Sequence, residues 1–186
     1  MRIIGGKFRG KALAAPGAAG GGEAHLRPTS DRVRESLFNL LAHGPYDGAP
    51  EGCRVLDLFA GTGALGLEAM SRGATRAIFV DDHGPSRALI RTNVEAMGLM
   101  GVTKIWRRDA TNLGENRDNP YDLIFLDPPY RKGLGAKVLK SAKDGGWIAE
   151  GALVIYECAA DEEAPEFADL LDERKYGETR VLIARA

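Results

Sequence analysis

From residue 52 onward, short apolar runs alternate with helical patterns, and that alternation leaves few folds open. The strand candidates are 54–59, 76–81, 103–107, 121–126 and 153–157, and the helix candidates are 64–72, 86–97 and about 135–141. Strands joined through helices cannot pair by tight hairpins; they pair in parallel and are covered by helices on both faces. The pattern predicts a doubly wound α/β fold with a mostly parallel sheet. The last segment reads differently. Residues 167–171 read as the end of a helix, and 174–176 with 179–184 as a hairpin turning at Gly177, which adds antiparallel pairing at one edge.

Ahead of this core, Arg2-Ile3-Ile4 and residues 7–13 flank Gly5-Gly6 and read as a small β-hairpin. Residues 16–25 are Gly, Ala and Pro with little else and read as a loop. A helix follows, with Thr29, Ser30 or Asp31 as its cap and Val33, Leu37, Leu40 and Leu41 at helical spacing, and Gly44-Pro45 ends it. The expectation is one domain, with residues 1–45 as a hairpin and helix extension and 52–186 as the α/β core.

Charge divides along the same line. Residues 1–43 carry seven Lys/Arg against three Asp/Glu, whereas residues 44–186 carry eighteen against twenty-three. A basic extension on an acidic body points to a polyanion on one face, with Arg2, Lys7, Arg9, Lys11, Arg27, Arg32 and Arg34 as the candidate contacts. Cys53 and Cys158 lie far apart, and no signal peptide or membrane-length apolar run is evident, so reduced thiols in the cytoplasm are expected. His25, His43 and His83 show no ligand spacing; they read as surface residues, and no metal is expected.

Val55 to Gly66 reads as a strand, a glycine turn and a helix start. Gly61, Gly63 and Gly66 match G-x-G-x-x-G, and Asp81 ends the next strand twenty residues after Gly61. That pattern first suggests a nicotinamide dinucleotide. Asp57, just before the turn, would repel a pyrophosphate but attract a cationic amino group. After the third strand, Asp109 could accept from an adenine amine, with Ala110 beside it. A ligand with an ammonium group, a ribose and an adenine but no phosphate is S-adenosyl-L-methionine. Asp127-Pro128-Pro129-Tyr130 closes the fourth strand. The prolines stiffen the turn, Asp127 and the Pro128 carbonyl offer two acceptors, and Tyr130 offers a flat ring. Such a group suits an exocyclic amine on a planar base.

With these motifs in place, the chain resembles the class I methyltransferases and, within them, the RsmD family, which methylates guanine N2 in small-subunit ribosomal RNA. The resemblance rests on residues 2–11, on 26–39 with its Arg-Pro-Thr-Ser-Asp-Arg start, on 56–69, and on 127–130. It implies a Rossmann-like methyltransferase sheet. It implies cofactor contacts from Asp57, Phe59, Gly61, Thr62, Gly63, Asp81, Asp109 and Ala110, and target-amine contacts from Asp127 to Tyr130. It also implies an RNA-facing extension acting on ribosomal RNA, either free or within an assembling 30S particle. No apolar heptad marks an obligate dimer, so a monomer is expected. Other amine methylases, acting on DNA adenine N6 or a protein glutamine, share the tetrad. An oxidoreductase reading the same glycines lacks a persuasive hydride-transfer set. A non-catalytic RNA-binding module would not need the tetrad.

Overall fold

The computed structural model describes residues 1–16, 30–167 and 169–186. In chain order the described elements are α1 (Asp31–His43), β1 (Arg54–Leu58), α2 (Ala64–Ser71), β2 (Arg76–Val80), α3 (Gly84–Ala96), β3 (Thr103–Trp106), β4 (Tyr121–Leu126), α4 (Gly135–Asp144), β5 (Ile148–Ala159), β6 (Asp169–Tyr176) and β7 (Thr179–Arg185). The strands form one sheet in the order β3-β2-β1-β4-β5-β7-β6. The first five strands pair in parallel, and β7 runs antiparallel between β5 and β6.

Successive residues of a strand point to opposite faces, and here both faces are covered. Val55, Ala77, Phe79, Leu123 and Phe125 face a cluster that includes Phe38 and Leu41 of α1 and Leu67 of α2. Leu56, Leu58, Ile78, Ile124 and Leu126 face the other cluster, with Val138 of α4 and Trp147. The central strands are therefore apolar almost throughout. Strand order reverses between β1 and β4, so the loops leaving them diverge and open a crevice at their carboxyl ends.

Three expectations need correction. The amino-terminal segments do pair, through an antiparallel bridge between Arg2 and Ala12 and a bond from Ile3 N–H to the Lys11 carbonyl of 2.9 Å. Gly5-Gly6 is not their hairpin turn, however, because the chain passes through a 3-10 turn at Gly6–Phe8. These glycines permit close approach to α2. Ile4 and Gly5 N–H each donate to Glu68 at 2.8 Å, and Phe8 N–H donates to the Ser71 hydroxyl at 2.9 Å. A Cβ on Gly6 would lie 1.9 Å from the Ser71 carbonyl oxygen, and its φ of +73° already favours glycine. Glu68 is fully buried and also accepts from Arg72 at 2.7 Å, so its charge is well met.

The second correction concerns 167–171, expected to finish a helix. Strand β6 begins at Asp169, and Leu170 pairs with Ala184; Ala168 lies outside the described residues. Pairing with the otherwise open edge of β7 outweighs local pattern in a segment too acidic to present an apolar helix face. Third, β5 starts at Ile148 rather than at 153. A register shift between Tyr121 and Leu123 on β4 and a positive φ at Gly151 let the longer strand run on. Helix α1 forms as expected, with Ser30 accepting from Val33 N–H at 3.3 Å. Thr29, Arg27, His25 and most of the 16–25 loop reading lie outside the described residues.

Candidate active site

The crevice is a cleft of about 930 Å³ whose lining includes Asp57, Phe59, Gly61, Thr62, Asp81, Asp109 and the whole tetrad from Asp127 to Tyr130. Parallel register explains the convergence. Asp57 pairs with Phe79 and Phe125, so the carboxyl ends of β1, β2 and β4 stand level, and the residues that follow them share one rim.

Asp57, Asp81 and Asp109 are each held by backbone N–H groups. Asp57, buried on β1, accepts Gly66 N–H in the first turn of α2 at 2.9 Å, where a helix dipole favours negative charge. Burial outweighs that bond and pushes its proton affinity up to about 8, with Asp81 adding repulsion. Gly66 has to be small, since a Cβ there would meet Phe79 at 2.5 Å and the Asp57 carboxylate at 2.9 Å. Asp81 accepts Gly61 N–H at 2.9 Å through one oxygen and His83 N–H at 2.8 Å through the other. Burial raises its proton affinity too, against those two bonds. Asp109 accepts both the N–H and the hydroxyl of Thr111, at 2.8 and 2.7 Å. The turn between β1 and α2 is tightly drawn. Phe59 takes a left-handed conformation at φ 58°, and Gly63 caps α2 at φ 78°. A non-glycine residue held there stores backbone strain of the kind found at ligand clamps.

Asp127 follows β4, and its N–H reaches the Leu58 carbonyl at 3.4 Å. Burial, then the nearby charges of Glu157 and Asp57, raise its proton affinity well above that of an ordinary carboxylate. Tyr130 turns its hydroxyl towards β5 and β7, where it donates to Glu157 at 2.7 Å and lies 3.0 Å from the Thr179 hydroxyl. Its proton is held more tightly than usual, through burial first and the Glu157 charge second. Beyond it, Arg131 sits at φ 61°, its N–H donating to Glu162 at 2.8 Å and its guanidinium pairing with Asp161 at 3.1 Å.

Not every candidate reaches the cleft. Gly63 shapes the turn without lining it, and Ala110 is buried in the apolar cluster beneath, while Thr111 takes the lining position. Conversely, His83, Ser86, Arg131, Lys132 and Leu134 line the cleft without having been singled out for it, and Asp82, beside Asp81, lines it as well. His83, read as a surface residue, is half-buried at the start of α3 and lies 3.0 Å from the Ser86 hydroxyl. The Pro85 that follows an acidic strand end was the available signal for a helix N-terminus at this rim.

On the extension, Arg2, Lys7, Arg9 and Arg32 are exposed. Lys11 is half-buried and donates to the Ala96 carbonyl at the end of α3. Arg34 departs from its expected role. Its side chain is fully buried, donating to the Arg2 carbonyl at 2.5 Å and to Asp31 at 2.8 Å, so it joins α1 to the first strand segment instead of facing solvent. Its burial lowers its proton affinity against the pull of Asp31 and Glu68. None of the described helices is long and apolar enough to cross a membrane.

A family model described as Conserved hypothetical protein 95 matches residues 1–185. Ribosomal RNA small subunit methyltransferase D of Escherichia coli K12 is 39% identical over 166 residues, covering 89% of this chain and 78% of its own length. The Haemophilus influenzae protein of that name is 32% identical over 182 residues, covering 95% and 89%. Among solved structures, the yhhF protein of Escherichia coli has a TM-score of 0.80 at 33% identity, covering 100% of this chain and 97% of its own. A Thermus thermophilus 16S rRNA N2 G1207 methyltransferase in complex with AdoMet and guanosine shares the fold, with a TM-score of 0.64 at 23% identity over 86% of this chain and 44% of that one. The strand order, the acid-lined cleft and a match running almost end to end agree, and the chain belongs to the Conserved hypothetical protein 95 family, that of ribosomal RNA small subunit methyltransferase D.

Proposed function

We propose that this protein methylates the exocyclic N2 amine of a guanine in small-subunit ribosomal RNA, with S-adenosylmethionine as the methyl donor. Relatives named for small-subunit ribosomal RNA methylation support the substrate class. One observation carries the reading: the acceptors of the tetrad and the acids after β1, β2 and β3 open into the same cleft. Five carboxylates line it, Asp57, Asp81, Asp82, Asp109 and Asp127, and they suit a cationic ligand rich in hydrogen-bond donors while repelling a dinucleotide pyrophosphate.

S-adenosylmethionine supplies a methyl on a sulfonium; the amine nitrogen takes the methyl, the sulfur keeps the bonding pair, and the nitrogen then sheds a proton. Asp57 and the Gly61 turn hold the amino acid end, Asp81 the ribose hydroxyls, and Asp109 the adenine amine. Asp127 and the Pro128 carbonyl accept the hydrogens of the target amine, which draws its lone pair out of conjugation with the base. Pro129 stiffens the turn, and the Tyr130 ring bounds the base plane, so that positioning supplies much of the rate. A carboxylate of raised proton affinity suits Asp127 to receive the departing proton. The base has to leave its stack to reach the tetrad, which costs least in an unpaired loop. The exposed cations Arg2, Lys7, Arg9 and Arg32 are the phosphate contacts of this reading, and a monomer acting on an assembling 30S particle is its preferred form.

Labelled S-adenosylmethionine offered with ribosomal RNA, small subunits, DNA and protein tests the proposal, with nucleoside mass spectrometry identifying the product. N2-methylguanine from ribosomal RNA or small subunits is the expected outcome, and higher turnover on subunits than on free RNA would favour the particle. Label appearing in N6-methyladenine or in protein would overturn it.

A further inference from the structure

We propose that Glu157 is a positioning residue for methyl transfer: with Thr179 it clamps the Tyr130 phenol, so that the aromatic wall beside Asp127 keeps one orientation. The inference rests on the reading of the tetrad as the target-amine site. Strand pairing brings the clamp together. Leu126 pairs with Tyr156, so Glu157 stands level with Asp127 at the carboxyl end of the sheet. Glu157 pairs in turn with Val181 and Thr179 with Ala159, which puts the Glu157 and Thr179 side chains on one face as diagonal neighbours. Tyr130 arrives over the strand ends and sets its hydroxyl between them, 2.7 Å from the carboxylate and 3.0 Å from the Thr179 oxygen. Since the phenol has one proton and gives it to Glu157, Thr179 donates to the phenol oxygen, and the three groups form a single directed chain.

The clamp carries an electrostatic cost that packing alone does not explain. Glu157 is only 7% exposed, and its charge disfavours ionisation of the buried Asp127. A buried apolar side chain would avoid that repulsion. What the carboxylate adds is a fixed ring plane, because a phenol tethered at its far end cannot swing about the Cα–Cβ bond. A phenol that donates to a carboxylate is also richer in electrons across its ring face, which favours positive charge beside it as the amine is methylated. Glu157 therefore acts through Tyr130 and Asp127. It is absent from the lining of the cleft.

A double-mutant cycle tests this on the full chain. Tyr130→Phe keeps the ring and removes the tether; Glu157→Ala removes the anchor. Each is expected to lower kcat by roughly tenfold to a hundredfold, the range for a hydrogen bond to a charged group, with the affinity for S-adenosylmethionine held within about twofold. The double variant should be no slower than the slower single variant, since both break one contact. Glu157→Gln keeps an acceptor for the phenol and removes the charge. It should recover most of kcat and move the acid limb of the rate–pH profile downward, a displacement that a purely structural role would not produce. Multiplied losses in the double variant, or full activity in Glu157→Ala, would overturn the clamp. In protein labelled with 3-fluorotyrosine, the fluorine resonance missing from Tyr130→Phe should shift in both Glu157→Gln and Thr179→Val. An unmoved resonance rejects the clamp even if the modified amine is not guanine N2, so failure of the clamp and failure of the functional reading are separable. Thr179 is partly exposed, and Thr179→Val serves should Glu157→Ala not fold.

Discussion

In the cleft, acids from the ends of four strands converge on one space, whereas along the amino-terminal extension Arg2, Lys7, Arg9 and Arg32 stand apart in solvent. The cleft gathers like charges at short range, where burial and repulsion raise the proton affinity of Asp57, Asp81 and Asp127. Such a site is costly when empty and suited to a cation or a leaving proton. The extension spreads its charge over a surface, which suits the phosphate backbone of a nucleic acid. The two regions meet through Glu68, a buried acid of the core that takes the Ile4 and Gly5 N–H groups, while the buried Arg34 holds the extension together by tying α1 to Arg2; neither offers a ligand a contact.

The largest effect that would break this contrast falls on the tetrad. Asp127→Ala should reduce turnover on the order of a hundredfold to ten-thousandfold while leaving S-adenosylmethionine affinity nearly intact. Single-turnover kinetics beside calorimetry measure both, and unchanged turnover would remove Asp127 from the chemistry. Next, Arg34→Ala should destabilise the fold by about 3 kcal/mol, because the Arg2 carbonyl and Asp31 lose their donor and a buried volume opens. Urea unfolding measures the loss. The salt dependence of RNA binding by the folded fraction should be unchanged, and a flatter slope would return Arg34 to the RNA surface.

A smaller effect distinguishes the cleft by pH. Asp57 binds its proton more tightly when folded, at about 8 against the model-compound value of 3.8. The stability linked to that proton is complete below the unfolded value and is lost as pH rises through the folded one. The unliganded protein should therefore melt at progressively lower temperature from about pH 4 to about pH 8, with Asp81 contributing in the same direction. Asp57→Asn should flatten that decline, which a series of thermal melts would reveal. The smallest effect belongs to the extension. Lys7→Glu with Arg9→Glu should weaken RNA binding and lower the salt slope by roughly one unit per lost phosphate contact. Identical slopes for variant and wild type would show that the exposed cations do not touch phosphate.

Legibility followed how local each feature is. Asp57, Asp81 and Asp127 could be read as strand-end acids because apolar runs mark their strands and parallel pairing aligns strand ends. The helix expected over 167–171 failed because its identity as β6 depends on the edge of β7, supplied by residues that come later in the chain. His83 was missed because a lone histidine between a strand and a helix carries no pattern of its own.

The sequence by itself determined the alternation of strands and helices, the order of acids along it, the glycine turn after β1 and the rigid tetrad after β4. All of these depend on neighbours a few residues apart. Tertiary structure alone decided that Arg34 is buried, that Gly5-Gly6 serves contact with α2 and that Glu157 and Thr179 reach the Tyr130 hydroxyl. The physical reason is common to all three: burial and hydrogen-bond partnership are set by groups as many as 66 residues away, such as Ser71 against Gly5. A side chain's charge or size does not reveal which distant backbone will come to meet it.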